Sequence, residues 1–480
     1  MSNLMPARST SPPGPRGWPI FGVLPRIWRD PLRFFTEVAR ECGDVARIGL
    51  GKFTLFLVSN PDLVGHVLHD NAKNYWKGKG LAAAEIVMGQ GLATSKGEEW
   101  ERQRQLIQPA FGSHQIAAYV PFLCKAVRDL LEDWRRRARR REAFDAVDDM
   151  RRLALQATCR VLFHSELDPA THEAISRGVT LANEKINRSA WALLPFLDSF
   201  PTPFNRRFRR ALEELNSNVY RIIREQKATT VHHDSLLHRL LRATEANSEA
   251  GLQDRKIRDE IVTLFIAGVD TPAHALAWTI HLLSRHPDWA ERVSAEADVV
   301  LGGETPSMEN IEKLGITERV LKESMRLYPP AWVIVRTPFE DDVLGGYSIS
   351  AGSPILLSQY VLHRHPALWE KPELFDPERW TAERAASQHR FAYFPFGGGS
   401  RFCIAQGLAM VLGKLVISMA AREFRWEAAD SRPVVPQPLT TLKPKHGVFI
   451  RAEERIRSPG SRSSPRKRAP DTEAARRRGN

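Results

Sequence analysis

Apolar residues recur at helical spacing along most of this chain, broken by a few short runs of denser apolar sequence. Leu32, Phe35 and Val38 mark one face of a helix over 31–41. Two apolar runs, Val45–Leu50 and Phe53–Val58, are joined through Gly51-Lys52 and predict a hairpin. Asn60-Pro61-Asp62 opens a short helix reaching about residue 69, with Pro61 suited to a first turn. Residues 75–97 are spotted with glycine and read as irregular, with Leu81, Met88 and Leu92 supplying apolar surface. Helices are predicted over 98–110, 129–141, 146–164, 173–191 and 204–226, and a long one over 255–285. Connecting helices fall within 287–313, and further helices over 316–327 and 406–421. Short strands are expected at 332–336, at 346–357 and over 439–451.

Composition sharpens this pattern in three ways. The 42% hydrophobic content of the 480 residues is ordinary for a chain with a large core. Cys42, Cys124, Cys159 and Cys403 are scattered without a C-x-x-C pair, which fits a reducing compartment, and a cytoplasmic location is expected. No run of about 18 apolar residues is present, so no membrane span is expected. The formal charge is +13, and the segment 455–480 carries nine basic and two acidic residues. That tail is rich in Ser, Pro and Arg and reads as disordered, without the aromatic interleaving of a nucleic-acid binder. The arginines closing the 129–141 helix read as a solvated face. The chain therefore divides into a Pro/Gly-rich lead-in (1–30), one folded unit (31–452) and a basic tail (453–480).

The chemistry concentrates in Phe394-Pro395-Phe396-Gly397-Gly398-Gly399-Ser400-Arg401-Phe402-Cys403, directly before the 406–421 helix. Three glycines permit positive φ and close approach to a partner. A cysteine beside a helix N-terminus, with Arg401 nearby, suits a metal-binding thiolate. The loop lacks the Gly-Lys-Ser/Thr ending of a phosphate-binding loop and the spacing of a dinucleotide fingerprint.

The pattern Phe396-x-x-Gly399-x-Arg401-x-Cys403 resembles the haem-binding loop of the cytochrome P450 family. The family usually has glycine two residues after the cysteine, where this chain has Ala405. The resemblance implies a mainly α fold with a small β-rich region, a triangular helical prism around a buried haem b (iron protoporphyrin IX). Cys403 would be the iron ligand. Trp100 and Arg104, four apart on one helix face, resemble the family's haem-propionate contact, with Arg336 and Arg401 as further cofactor-binding residues and Phe396 and Gly268 beside the haem. Ala267-Gly268-Val269-Asp270-Thr271 resembles the oxygen-activation segment. Gly268 would leave room for a ligand on iron, and Asp270 and Thr271 would relay protons. Pro272, lacking an N–H, frees the Gly268 carbonyl and predicts a kinked groove suited to ordered water. Glu323, Arg326 and Arg379 are expected as a structural cluster under the haem.

The resemblance also implies monooxygenation of a hydrophobic small molecule, such as a terpenoid, steroid, fatty acid or polyketide. The pocket would be lined by Leu81, Met88, Leu92, Phe265, Ala267, Val333, Ile334 and Thr441, under a lid at 193–204. Electrons would come from NAD(P)H through a separate ferredoxin and ferredoxin reductase, since no flavin or iron–sulfur segment follows residue 451. A monomer of the soluble bacterial type is expected. The Asp270-Thr271 pair argues against a peroxide-driven peroxygenase or isomerase, which needs no dioxygen protonation, and against a haem protein that only binds gas.

Overall fold

The long helix Ala250–Arg285 organises the fold. In the computed structural model, which describes residues 11–51, 53–78, 82–165, 167–190, 200–228, 235–244, 250–302 and 305–456, it packs along Ala146–Phe163 and touches Pro203–Ala228, Gly315–Leu327 and Gln406–Glu423. By length and composition this helix could cross a membrane, but 72% of its most apolar window is buried inside the protein. Its apolar character is that of a core element.

Local sequence sets the helix ends. Asp145 Oδ1 accepts the Val147 N–H at 2.9 Å to start Ala146–Phe163, and His164, in left-handed backbone at φ 55°, ends it. Asp30 accepts from Arg33 N at 3.0 Å to cap Pro31–Cys42. The helix Ser113–Arg139 begins well before the predicted 129, because Pro121 is accommodated inside it while Ile116, Val120, Leu123 and Val127 face the core. Its arginines are not simply solvated: Arg135 binds Glu132 and Glu423, Arg136 binds Asp133, and Arg137 binds Asp133 and Asp149. Leu236–Thr244 and Ala82–Met88 are helices that the residue pattern did not show.

A five-stranded sheet carries the other half of the site. Val45–Leu50 pairs antiparallel with Phe53–Val58, as predicted, with Val45 opposite Val58. Phe53–Val58 pairs parallel with Ile355–Leu357, which pairs antiparallel with Ile334–Pro338. Tyr75–Trp76 closes the edge, with Trp76 opposite Thr337. Lys77 directly follows the paired Trp76, and Arg336 directly precedes its partner Thr337.

Candidate haem and oxygen-activation site

The cysteine loop is pinned from several sides. Gly397 N donates to Phe394 O at 2.9 Å and Cys403 N to Phe396 O at 3.0 Å. Phe394 N donates at 3.0 Å to Nε2 of His363, a fully buried imidazole that burial keeps neutral. Gly399 sits at φ 66°, and a Cβ there would lie 1.6 Å from the Leu68 carbonyl oxygen. The loop thus needs glycine at 399 for contact with the chain's own backbone. Ala405 has φ −97°, outside the left-handed region that favours glycine, so the backbone here does not require glycine. Burial pushes the Cys403 thiol up, against the Ala405 N–H and the charge of Arg104. Arg104, from a different element, is thus a cation acting on the sulfur. Arg104 Nη1 also donates to Phe402 O at 2.8 Å, joining the helix Gly97–Ile107 to the loop.

Around this contact four cations converge. The Arg401 guanidinium lies 3.9 Å above the Trp100 ring and donates to Ser95 O at 3.1 Å. Arg336 is buried, and its recorded hydrogen bond is to the neighbouring Val335 O at 3.0 Å. Burial brings both Arg336 and Arg401 down to about 10, with Arg336 and Arg104 adding to the effect on Arg401. Lys77, absent from the residues picked out by motif, donates to Ala93 O. Burial, then the charges of Arg401, Arg336 and Arg104, lower it to about 7. Four clustered cations, Arg336 buried and Lys77, Arg104 and Arg401 partly buried, fit a doubly anionic ligand.

On the long helix, Ala267 is exposed and Gly268 and Thr271 are partly exposed, while residues 261–266, 269 and 270 are buried. These three share a face (i, i+1, i+4) that other elements leave partly uncovered. Thr271 Oγ1 donates to Ala267 O at 2.5 Å, a back-bonded threonine. Gly268 differs from expectation. A Cβ on it would lie 2.8 Å from Thr158 Oγ1, so its missing side chain serves contact with Ala146–Phe163 rather than space for an iron ligand. The Gly268 carbonyl freed by Pro272 lies 3.3 Å from Thr158 Oγ1, whose hydroxyl has a shorter acceptor in Ala154 O at 2.8 Å. Asp270 is not an open carboxylate either. Arg151 Nε donates to its Oδ1 at 2.8 Å and Asn183 Nδ2 to its Oδ2 at 2.7 Å, tying three helices together.

The expected pocket residues divide. Ala267, Val333 and Ile334 keep accessible surface, and Met88 and Leu92 are buried at its margin. Phe265 has 0% exposure and packs on Phe163 at 6.0 Å between ring centroids, so it lines no cavity. Thr441 is engaged by His274 Nδ1 at 2.8 Å. Leu81 and residues 193–199 of the expected lid lie outside the described residues. The turn 88–92 is latched to the long helix: Asp259 Oδ2 accepts Gln90 N and Glu260 Oε2 accepts Leu92 N, both at 2.9 Å. Burial raises Glu260 to about 8.

Behind the loop, Glu323 accepts from Arg326 Nε and Nη2 at 2.8 Å each, from Trp380 Nε1 at 3.0 Å and from Asp376 N at 2.9 Å. Arg379 Nε stands 3.4 Å away. Arg326 further donates to the carbonyls of His363, Pro372 and Leu374. Glu323, Arg326 and Arg379 thus meet in one buried cluster. On the outer side of the loop a cleft of about 420 Å³ is lined by Phe396, Gln406, Lys322, Arg390 and Lys414 among others.

Comparison with known proteins agrees with this geometry. The cytochrome P450 family model matches residues 12–451. The chain is 36% identical over 445 residues to cyclooctat-9-en-7-ol 5-monooxygenase of Streptomyces melanosporofaciens, covering 91% of this chain and 94% of the relative. It is 30% identical over 448 residues to pentalenene oxygenase of Streptomyces avermitilis, covering 93% and 97%. The crystal structure of the cytochrome P450DA heme domain superposes with a TM-score of 0.81 at 26% identity, over 94% of this chain and 98% of that one. The residues fit the family's cofactor: Lys77, Arg104, Arg336 and Arg401 would neutralise its two propionates, and Cys403 would supply a thiolate to its iron. When bound, thiolate-ligated haem supplies dioxygen activation. Sequence, fold and site converge on one conclusion: the chain belongs to the cytochrome P450 family and is a haem b monooxygenase supplied with NAD(P)H-derived electrons through a redox partner.

Proposed function

We propose that this enzyme oxygenates a terpenoid-like substrate, with Cys403 as the axial iron ligand and residues 31–452 as a single haem-binding unit. The observation that carries the assignment of the site is the convergence of Lys77, Arg104, Arg336 and Arg401 beside the Cys403 loop, a cation set that an anionic porphyrin edge neutralises. Trp100 supports it by stacking under Arg401. The accessible Ala267, Val333 and Ile334 favour an apolar molecule, and relatives named for cyclooctat-9-en-7-ol and pentalenene narrow the class.

In this reading Thr271 moves a proton at the cavity face. Its hydroxyl, now given to Ala267 O, is the donor within reach of that face. Asp270 supplies the acidic group one residue earlier and, tethered to Arg151 and Asn183, fixes the helix about Thr271. Glu323, Arg326 and Arg379 hold the loop's underside. An acidic ferredoxin docks at the outer cleft, where Lys322, Arg390 and Lys414 outnumber Glu312 and Glu318. The enzyme works as a monomer in the cytoplasm.

The first test is the absorption spectrum of the reduced protein under carbon monoxide. A strongly red-shifted Soret band, lost in Cys403→Ser, is expected. A band of histidine-ligated position would sink the ligand assignment. Spin-state titration with cyclic terpenes, fatty acids and steroids then tests the substrate: a response confined to fatty acids or steroids overturns the terpenoid reading.

A further inference from the structure

His363 stands between the Glu323 cluster and the loop that carries Cys403. It closes the short helix Gln359–Leu362 and has 0% exposure. Its carbonyl accepts from Arg326 Nη1 at 2.9 Å, and its Nε2 accepts the Phe394 N–H at 3.0 Å. The Phe394 ring meets the imidazole edge to face, with centroids 5.5 Å apart. The Tyr393 ring lies 5.1 Å from the imidazole and itself packs on Trp380 at 4.3 Å. Trp380 Nε1 in turn donates to Glu323. One buried imidazole thus joins the ionic cluster, the aromatic layer and the first residue of the loop.

The covalent structure of the loop makes that Phe394 N–H hard to replace. Pro395 has no N–H, so Phe394 is the last backbone donor before Phe396. Further on, the loop bonds to itself: Gly397 N donates to Phe394 O at 2.9 Å and Cys403 N to Phe396 O at 3.0 Å. The run of backbone bonds that ends at the sulfur-bearing residue therefore starts at one side-chain acceptor. A ring nitrogen that accepts from an N–H carries no proton, so the neutral ring must bear its proton on Nδ1. Burial, then the charges of Arg326 and Arg364, keep the imidazolium out against the Met325 and Arg326 carbonyls. Nε2 is thereby left free to accept. A buried N–H deprived of its acceptor is costly to hold in place, and a loop is the part of a fold that gives way first.

We propose that His363 is a positioning residue for the haem thiolate: its Nε2 anchors Phe394 and so holds the loop in the conformation that presents the Cys403 sulfur to iron. This role rests on the assignment of Cys403 as the axial ligand. The cluster of Glu323, Arg326 and Arg379 then acts on the loop through this ring, since Arg326 holds the His363 carbonyl while the imidazole holds Phe394. A buried ionic group behind the loop thereby gains a route to the iron ligand.

The test compares His363→Gln, His363→Asn and His363→Leu in the full-length haem protein. Glutamine carries an acceptor near the position of Nε2, asparagine carries its polar atoms near Nδ1 only, and leucine has none. The reduced proteins are held under carbon monoxide at raised temperature, and the red-shifted Soret band is followed as it converts to the position of haem without thiolate. His363→Leu and His363→Asn should convert about five- to a hundredfold faster than the parent, the equivalent of one buried N–H left without an acceptor. His363→Gln should stay within about threefold of the parent. If the leucine variant takes up no haem, the contrast between glutamine and asparagine decides alone. The unfolding midpoints of the same haem-loaded proteins separate ligation from stability: conversion that only follows the midpoint, with glutamine as fast as asparagine, assigns His363 to packing and overturns the proposal. Asparagine keeping the band while glutamine loses it places the essential contact at Nδ1 and overturns it as well. A parent protein without the red-shifted band would instead remove the assignment of Cys403, before any His363 variant is compared.

Discussion

Replacing Gly268 by alanine distinguishes two uses of a small residue in the long helix. The added methyl would stand 2.8 Å from Thr158 Oγ1 and 3.5 Å from its Cγ2. Overpacking of this kind costs about 1–3 kcal/mol, and the better helix propensity of alanine returns about 1 kcal/mol. Gly268→Ala alone should therefore destabilise by roughly 0–2 kcal/mol. Thr158→Ala removes a hydroxyl that donates to Ala154 O at 2.8 Å and stands 3.3 Å from the Gly268 carbonyl, a loss of about 1 kcal/mol. In the double variant the methyl occupies the space the hydroxyl vacates. The two losses should then fail to add, with a coupling of about 1–3 kcal/mol in favour of the double variant. Thermal unfolding of the four haem-loaded proteins measures the cycle, and carbon monoxide binding rates are followed in parallel. Strictly additive losses, or a Gly268→Ala protein altered only in carbon monoxide binding, would refute the packing argument and return Gly268 to the role of clearing space at iron.

Four further outcomes are expected. Glu323→Gln leaves Arg326 and Arg379 buried without a counter-charge and should cost about 3–5 kcal/mol; a parent-like guanidinium midpoint and haem content would contradict this. Glu260 is raised from its ordinary 4.5 to about 8 by burial, so the native state holds a proton that the unfolded chain releases between those values. Stability should fall as pH rises through that window, and Glu260→Gln should flatten the slope in a pH series of unfolding midpoints. Lys77, lowered to about 7, makes the haem-free protein gain stability as pH rises from there toward the unfolded lysine value; Lys77→Met should abolish that gain and speed haem transfer to an apoglobin acceptor. Thr271→Ala should consume NAD(P)H without matching product, whereas Thr271→Ser should stay coupled, as read from product formed per reductant used.

The parts of the site that were legible in the sequence are those whose partners are near in the chain. Phe396 to Cys403 is one contiguous loop, and Trp100 and Arg104 share a helix face at a spacing of four. The hairpin at 45–58 showed itself because each strand is a short apolar run with a glycine turn. Lys77 did not, because its burial comes from pairing Trp76 with Thr337, far along the chain. The direction in which Gly268 lacks a side chain depends on how Ala146–Phe163 lies against it, and Asp270 finds Arg151 and Asn183 on two other helices. Phe265 carries the same apolar signal whether it faces a substrate or Phe163, and packing alone decided for Phe163. The helix Leu236–Thr244 is short and sits among polar sequence, where helical periodicity has few turns in which to register.

The parallel pairing of Phe56 with Ile355 has a consequence for biosynthesis. Those partners are separated by 355 − 56 = 299 residues, so at roughly 5–20 residues per second the ribosome delivers the second about 15–60 s after the first. For that interval Phe53–Val58 is an apolar strand with one edge unsatisfied, and Arg336 has no strand to stand on. Cys403 emerges later still. The newly made chain must therefore be kept from sticking to its neighbours until Ile355–Leu357 has been translated, and haem capture follows later still.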